Sequence, residues 1–255
     1  MRDQYIEPAA LPEIGFDRGR HWRAKIGFVV LATEQTIEED MMRLAPSGVG
    51  VHFSRVWLEN AITVSTLEAV GKSLASAAAL ILPNEKLDVV CYACTSGSLV
   101  LGENRVTAEL QKGAPEAKAT TLITGVINAL KAVNARRIVV GTPYLDEVNE
   151  MEKCYLEKKG FHVLNIRGMN LTNDSSMVKV TPDFIKEFAL GIDCPEADAI
   201  FISCGALRSL DVVEDIEGTV KKPVIVSNQA MLWETLRLAG IPDAIDGYGQ
   251  LLRDF

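Results

Sequence analysis

The sequence predicts an α/β protein: two similar Rossmann-like halves of parallel sheet, related by pseudo-twofold symmetry, with the active site in the cleft between them. Three observations carry this. Short apolar runs alternate along the chain with helical stretches, the pattern of parallel strands covered by helices. The chain also repeats itself. Lys25-Ile-Gly-Phe-Val-Val and Arg137-Ile-Val-Val-Gly-Thr each read as a basic residue, a strand and a polar turn before an acidic helix, 112 positions apart. Finally, Cys94 and Cys204 stand at strand ends 110 positions apart, so one duplication accounts for both intervals.

In chain order, Lys25 to Leu31 reads as a buried strand, 32–36 as a turn, and Ile37 to Leu44 as a helix with an acidic first turn. Val49 to Trp57 alternates well enough for a second strand, and Ser65 to Leu82 is an alanine-rich helix. Asp88 to Cys94 is an apolar strand, followed at once by Thr95, Ser96, Gly97 and Ser98, which suit a tight turn into a helix with Ser or Thr as N-cap. A helix over Thr120 to Val133 and a strand over Arg137 to Gly141 come next. Thr142-Pro-Tyr144 turns into the helix Asp146 to Lys159, stopped by Gly160. Phe161 to Arg167 is a strand, and Thr181-Pro182 opens a helix to Leu190. The strand Ala199 to Ser203, a helix from about Leu207, the strand Pro223 to Ser227 and a final helix Ala230 to Ala239 complete the pattern.

The chain has 255 residues, of which 48% are hydrophobic and 24% charged, an ordinary soluble globular composition with enough length for real cores. Its net charge of −8 argues against nucleic acid or an anionic membrane surface as the main partner. An anionic ligand must therefore be held by a local cradle. No apolar run is long enough to span a bilayer, and Met1 to Arg20 has no apolar core of a secretory signal. The expected division is an N-terminal arm over 1–21, a first half over 22–120 plus 228–255, and a second half over 121–227. Five cysteines at 91, 94, 154, 194 and 204 are an odd, scattered set, expected to be reduced thiols in a cytoplasm.

A cysteine at a strand-to-helix turn meets outward-pointing backbone N–H groups and the helix dipole. That setting favours thiolate and also binds anions. The ordinary alternative for any free cysteine is a buried structural residue. For Cys94 and Cys204 the strand-end position, the small polar turn and the duplicated partner favour chemistry. Cys91 forms a Cys-x-x-Cys with Cys94, but a lone pair without a second pair or a histidine makes a poor zinc site. In a strand the two would also face opposite ways. Cys154 and Cys194 read as bystanders. His21, His52 and His162 lack ligand spacing, and Gly48-Val-Gly50 lacks the third glycine and preceding strand of a phosphate loop.

Cys94-Thr-Ser-Gly-Ser98 resembles the first-cysteine motif of maleate isomerases. Thr142-Pro-Tyr-Leu-Asp-Glu-Val-Asn149, Ser203-Cys-Gly-Ala-Leu207, and the run Pro223-Val-Ile-Val-Ser, Trp233 and Gly247-Tyr-Gly249 resemble both these enzymes and arylmalonate decarboxylases. From Lys25 to its end the chain is similar to the aspartate/glutamate racemase superfamily, in its maleate cis–trans isomerase and arylmalonate decarboxylase branch. Proteins of ectoine-utilisation clusters look similar too. In the decarboxylases the position of Cys94 is a glycine, so two thiols favour isomerase or racemase chemistry. Where maleate isomerases have an asparagine in the first turn, this chain has Gln35, one methylene longer.

The resemblance implies a cofactor-independent enzyme without a metal, acting on a small dicarboxylate, with a homo-oligomer expected. It implies Cys94 as nucleophile, Cys204 as proton donor and acceptor, and a substrate cradle of Gln35, Thr95, Ser96, Gly97, Tyr144, Asn173, Gly205 and Ala206. For Tyr144 the competing reading is a packed aromatic, and for Asn173 a plain turn residue. The implied reaction is cis–trans isomerisation of an enedioate of the maleate-to-fumarate type. Racemisation or decarboxylation of a small dicarboxylate, and a non-catalytic small-acid binding protein, are the alternatives.

Overall fold

Alternate residues of the strand Ala24–Leu31 enter different cores. Ile26, Phe28 and Val30 pack toward the centre of the molecule, and Val29 and Leu31 toward an outer cluster. A strand buried on both faces belongs to a parallel sheet covered by helices on both sides. The computed structural model describes residues 13–59 and 62–255. Its first run is β1 (Ala24–Leu31), α1 (Ile37–Leu44), β2 (Val49–Val56), α2 (Val64–Val70), α3 (Leu74–Ala79), β3 (Val89–Tyr92), α4 (Thr95–Leu101), α5 (Glu103–Gly113), β4 (Lys118–Thr121) and α6 (Leu122–Ala132). The second is β5 (Arg137–Thr142), α7 (Asp146–Lys158), β6 (His162–Gly168), α8 (Asp174–Met177), α9 (Pro182–Ile192), β7 (Ala199–Ile202), α10 (Val213–Val220), β8 (Val224–Val226), α11 (Ser227–Leu238) and α12 (Gln250–Asp254).

The strands form two parallel sheets, ordered β2-β1-β3-β4 and β6-β5-β7-β8. Adding four to each label of the first order gives the second, so the duplication read from the two basic-led strands is the duplication of the fold. In both sheets the cysteine-bearing strand, β3 or β7, lies between the first and last strands of its half. Cys94 and Cys204 thus leave equivalent strand ends. Ligands of such sheets bind beyond the carboxyl ends of the strands.

Between the sheets α6 packs on α11. Gly125 lets them approach: a Cβ there would lie 2.9 Å from the Ala230 carbonyl oxygen and 3.2 Å from Glu234 Cβ. Leu122, Ile123, Val126 and Leu130 meet Met231, Leu232 and Leu236 in the shared core, and Asn128 donates to the buried Glu234 carboxylate at 3.1 Å. Apolar burial, at about 25 cal/mol per Å², stabilises such a contact.

Several elements differ from the sequence reading: α5 has no counterpart in it, and the helix expected from about Leu207 begins only at Val213, after a 3₁₀ turn at Ser209–Asp211. The expected single helix over 65–82 is α2, a tight 3₁₀ turn at Gly71–Ser73, and α3. Gly71 lies against Leu101 of α4, where a Cβ would come within 2.9 Å of Leu101 Cδ2, so the helix bends where it meets its neighbour. The helix expected from Thr120 starts at Leu122. Before it, Lys118–Thr121 pairs in parallel with β3, as β-branched threonines favour. Thr121 then caps α6, its hydroxyl accepting the Thr124 N–H at 3.2 Å.

Candidate active site

β3 ends at Tyr92, and Cys94 is still extended (φ −143°, ψ 119°) when α4 begins. The N-cap is therefore the cysteine itself rather than a Ser or Thr. Its Sγ accepts the Gly97 N–H at 3.3 Å and lies 3.7 Å from Ser96 Oγ. Ser98 fastens the turn, its hydroxyl donating to the Cys94 carbonyl at 2.6 Å. Two residues back, Tyr92 faces the same side of the strand as Cys94. A Cβ on Gly97 would lie 2.4 Å from the Tyr92 hydroxyl, so only glycine fits. Cys91 points into the central core, away from Cys94.

On the second half Cys204 has φ +96°, a left-handed conformation that costs a non-glycine residue about 1–3 kcal/mol and that clusters at functional sites. Its backbone N–H donates to Ser227 Oγ at 2.9 Å. Gly205 follows because a Cβ would meet Ile37 Cδ1 at 2.7 Å. The turn is further held from α11 and α1: Asn228 Nδ2 donates to the Gly205 carbonyl at 2.9 Å and to Asp40 at 2.8 Å. The Thr36 hydroxyl donates to the Ala206 carbonyl at 3.0 Å.

These two turns face each other. Cys94, Thr95 and Ser96 from one half and Tyr144, Cys204, Gly205 and Ala206 from the other line one pocket around a cavity of about 20 Å³, room for about one water. Gly97 acts through its N–H on the Cys94 sulfur. Two other expected residues lie elsewhere. Gln35 is exposed, and the preceding Glu34 lines the pocket instead. Asn173 caps α8, its Oδ1 accepting the Ser176 N–H at 3.0 Å, while the next residue, Asp174, turns inward. Glu34 Oε1 accepts the N–H groups of Gln35, Thr36 and Ile37 at 2.9, 2.6 and 3.1 Å, which caps α1. Asp174 accepts the Thr33 hydroxyl across the cleft.

Burial reverses the thiol acidity expected from the helix terminus. It pushes Cys94 up to about 11, although the Gly97 N–H, Ser96 and Tyr92 pull the other way. Burial likewise raises Cys204 well above its ordinary value, the Asp174 charge adds to this, and Tyr144 partly offsets it. Desolvation disfavours the thiolate more than one helix end and a few donors favour it. The pocket is thus one of two thiols rather than a ready-made thiolate. Burial also raises Glu34 and Asp174 above the usual carboxylate range. Among the described residues no group of three or more His, Cys, Asp or Glu could hold a metal ion.

A model of the arylmalonate decarboxylase family matches residues 30–252. The arylmalonate decarboxylase of Bordetella bronchiseptica is 29% identical over 237 residues, covering 89% of this chain and 95% of that protein. The maleate isomerase of Nocardia farcinica is 27% identical over 241 residues, covering 90% and 95%. In fold the chain is similar to a cysteine-to-serine mutant of the Nocardia farcinica maleate cis–trans isomerase with a covalently bound succinylcysteine intermediate. The TM-score is 0.83 with 23% identity, over 91% of this chain and 99% of that one. The family match runs from the end of β1 into α12 and includes both cysteine turns, and this protein is a member of the arylmalonate decarboxylase family.

Proposed function

We propose that this protein is a cofactor-independent cis–trans isomerase of a small enedioate of the maleate type. Supporting this is the placement of two thiols, on duplicated strand ends, against one pocket. Cys94 gives up its thiol proton to solvent and adds as thiolate to one alkene carbon, and the π electrons move onto the adjacent carboxylate as an enediolate. The Thr95 and Ser96 turn and the Gly205–Ala206 turn with Tyr144 offer fixed donors for that charge. Cys204 delivers its proton to the neighbouring carbon. After rotation about the new single bond, the Cys204 thiolate takes the proton back and Cys94 leaves, releasing the trans isomer. The succinylcysteine of the Nocardia farcinica mutant is the species this addition would produce from maleate.

Entry requires movement, since the cavity is far smaller than a four-carbon diacid. Ile62, which lines the pocket, donates its N–H to the Thr172 carbonyl at 3.3 Å, and parting this contact would widen the site. The division into 22–120 plus 228–255 and 121–227 belongs to the same reading, supported by α11 crossing back to pack on β3 and β4. A cytoplasmic homo-oligomer completes it, supported by five free cysteines and the exposed Trp57, Met42 and Leu80.

Proton NMR in deuterated water tests the reaction against maleate, aryl- and alkylmalonates and acidic amino acids. Fumarate from maleate is the expected outcome. Carbon dioxide release or α-proton exchange without isomerisation would replace the proposal with decarboxylation or racemisation. The decarboxylase reading is favoured by the family match and the Bordetella bronchiseptica relative, the isomerase reading by Cys94.

A further inference from the structure

The pocket's charge favours a monoanion over a dianion. Glu34 and Asp174 both line it, and no Lys, Arg or His is among the described residues that do. Arg55 reaches the same turn, but its guanidinium is engaged by the carbonyls of Leu31, Ala32 and Glu34 and by Glu38. Glu34 is 6% exposed and Asp174 5%, so solvent screens neither. Their positions are fixed: Glu34 by the N–H groups of Gln35, Thr36 and Ile37 at the start of α1, and Asp174 by the Thr33 hydroxyl. Two fixed acceptors therefore share the pocket with the donors of the two cysteine turns. A substrate carboxylate beside Asp174 would meet like charge without a counter-ion, in a site too dry to weaken the repulsion.

Resting on the two-thiol reading, we propose that the site selects a small acid with a carboxylate at one end and a nitrogen N–H donor at the other. The N–H end is a half-amide or an ammonium group, held by Asp174 and Glu34. A half-amide keeps the activated double bond that thiolate addition needs, and its NH₂ group offers two donors to two carboxylates. The carboxylate end goes to the turn donors. Asp174 and Glu34 thereby determine specificity.

Binding of saturated, unreactive ligands separates this claim from the reaction. Calorimetric titration at pH 8 compares succinate, succinamate and 4-aminobutyrate on the wild-type protein. The better of the two nitrogen ligands should bind at least about tenfold tighter than succinate. Which of them wins tells an amide from an ammonium substrate. Asp174→Asn, whose amide can donate to a carboxylate, should shift the preference toward succinate. Glu34→Gln should weaken it in the same direction and gives the answer if Asp174→Asn does not fold. Succinate binding tightest to the wild type would overturn the proposal, as would a preference unchanged in both variants or no binding of any ligand. None of these ligands has a double bond, so their ranking is independent of the reaction, which failure to isomerise both maleate and its half-amide would refute on its own.

Discussion

Ser227 holds Cys204 in its strained conformation: its Oγ accepts the Cys204 N–H at 2.9 Å. The same hydroxyl lies 3.3 Å from Thr95 Oγ1, so one serine at the start of α11 ties the turn of one thiol to the turn of the other. Ser227→Ala would leave a buried N–H unpaired, at a cost of about 1–3 kcal/mol. The released turn should lower kcat by about tenfold or more, with a smaller change in KM, because geometry rather than binding is lost. Urea unfolding together with steady-state kinetics checks both.

Gly97 should tolerate no side chain. Gly97→Ala places a methyl 2.4 Å from the Tyr92 hydroxyl, so the start of α4 must shift and carry its N–H away from Cys94. Activity should fall by about a hundredfold, in keeping with a roughly 1 Å misplacement. Tyr92→Phe removes the clashing oxygen, and the double variant should regain part of the loss. If Gly97→Ala were as active as the wild type, the close approach would have no bearing on the site.

Cys91→Ala should keep most of the activity, because Cys91 faces the central core. Cys94→Ala and Cys204→Ala should each abolish it. The check is turnover beside thermal unfolding. Equal damage from Cys91→Ala in a folded protein would place the reactive face on the wrong side of β3.

Glu152 gives stability a pH dependence. It is fully buried on α7, and burial outweighs the pull of the neighbouring Ser203 hydroxyl. Burial pushes it from 4.5 up to about 7. A raised folded value means that its contribution is complete below pH 4.5 and lost as the pH rises through 7. The loss is about 3 kcal/mol from a shift of this size. Glu152→Gln should therefore gain on the wild type by about that amount between pH 4.5 and pH 8 in urea unfolding. A constant difference between the two proteins would contradict the raised, buried carboxyl.

The two-halved fold was legible because duplication writes itself twice: the basic-led strands and the strand-end cysteines fall at nearly the same interval. The inward residues of the turns were not. Glu34 and Gln35 are neighbours, as are Asn173 and Asp174, and backbone dihedrals settle which of each pair faces the pocket. Resemblance points to the amides of Gln35 and Asn173, yet the residue beside each, Glu34 or Asp174, lines the pocket with the thiols. Tyr92 was hidden within an apolar strand, although its i, i+2 relation to Cys94 was a usable signal. Ser227 was read only as a strand end. The hydroxyl residues that end β4, the duplicate of β8, hinted at its place. The raised thiol values were invisible because burial is a property of the whole packed cleft.

The central claim assigns different roles to the two thiols, and intact-mass spectrometry of Cys204→Ala with maleate tests it most directly. Without its proton donor the enzyme should still form the carbon–sulfur bond, with solvent completing the adduct slowly. The account predicts a species heavier by one substrate that maps to the Cys94 peptide, and no such species with Cys94→Ala. An adduct on Cys204 in Cys94→Ala would reverse the roles. No adduct in either variant, with solvent exchange at a substrate carbon in the wild type, would contradict thiolate addition.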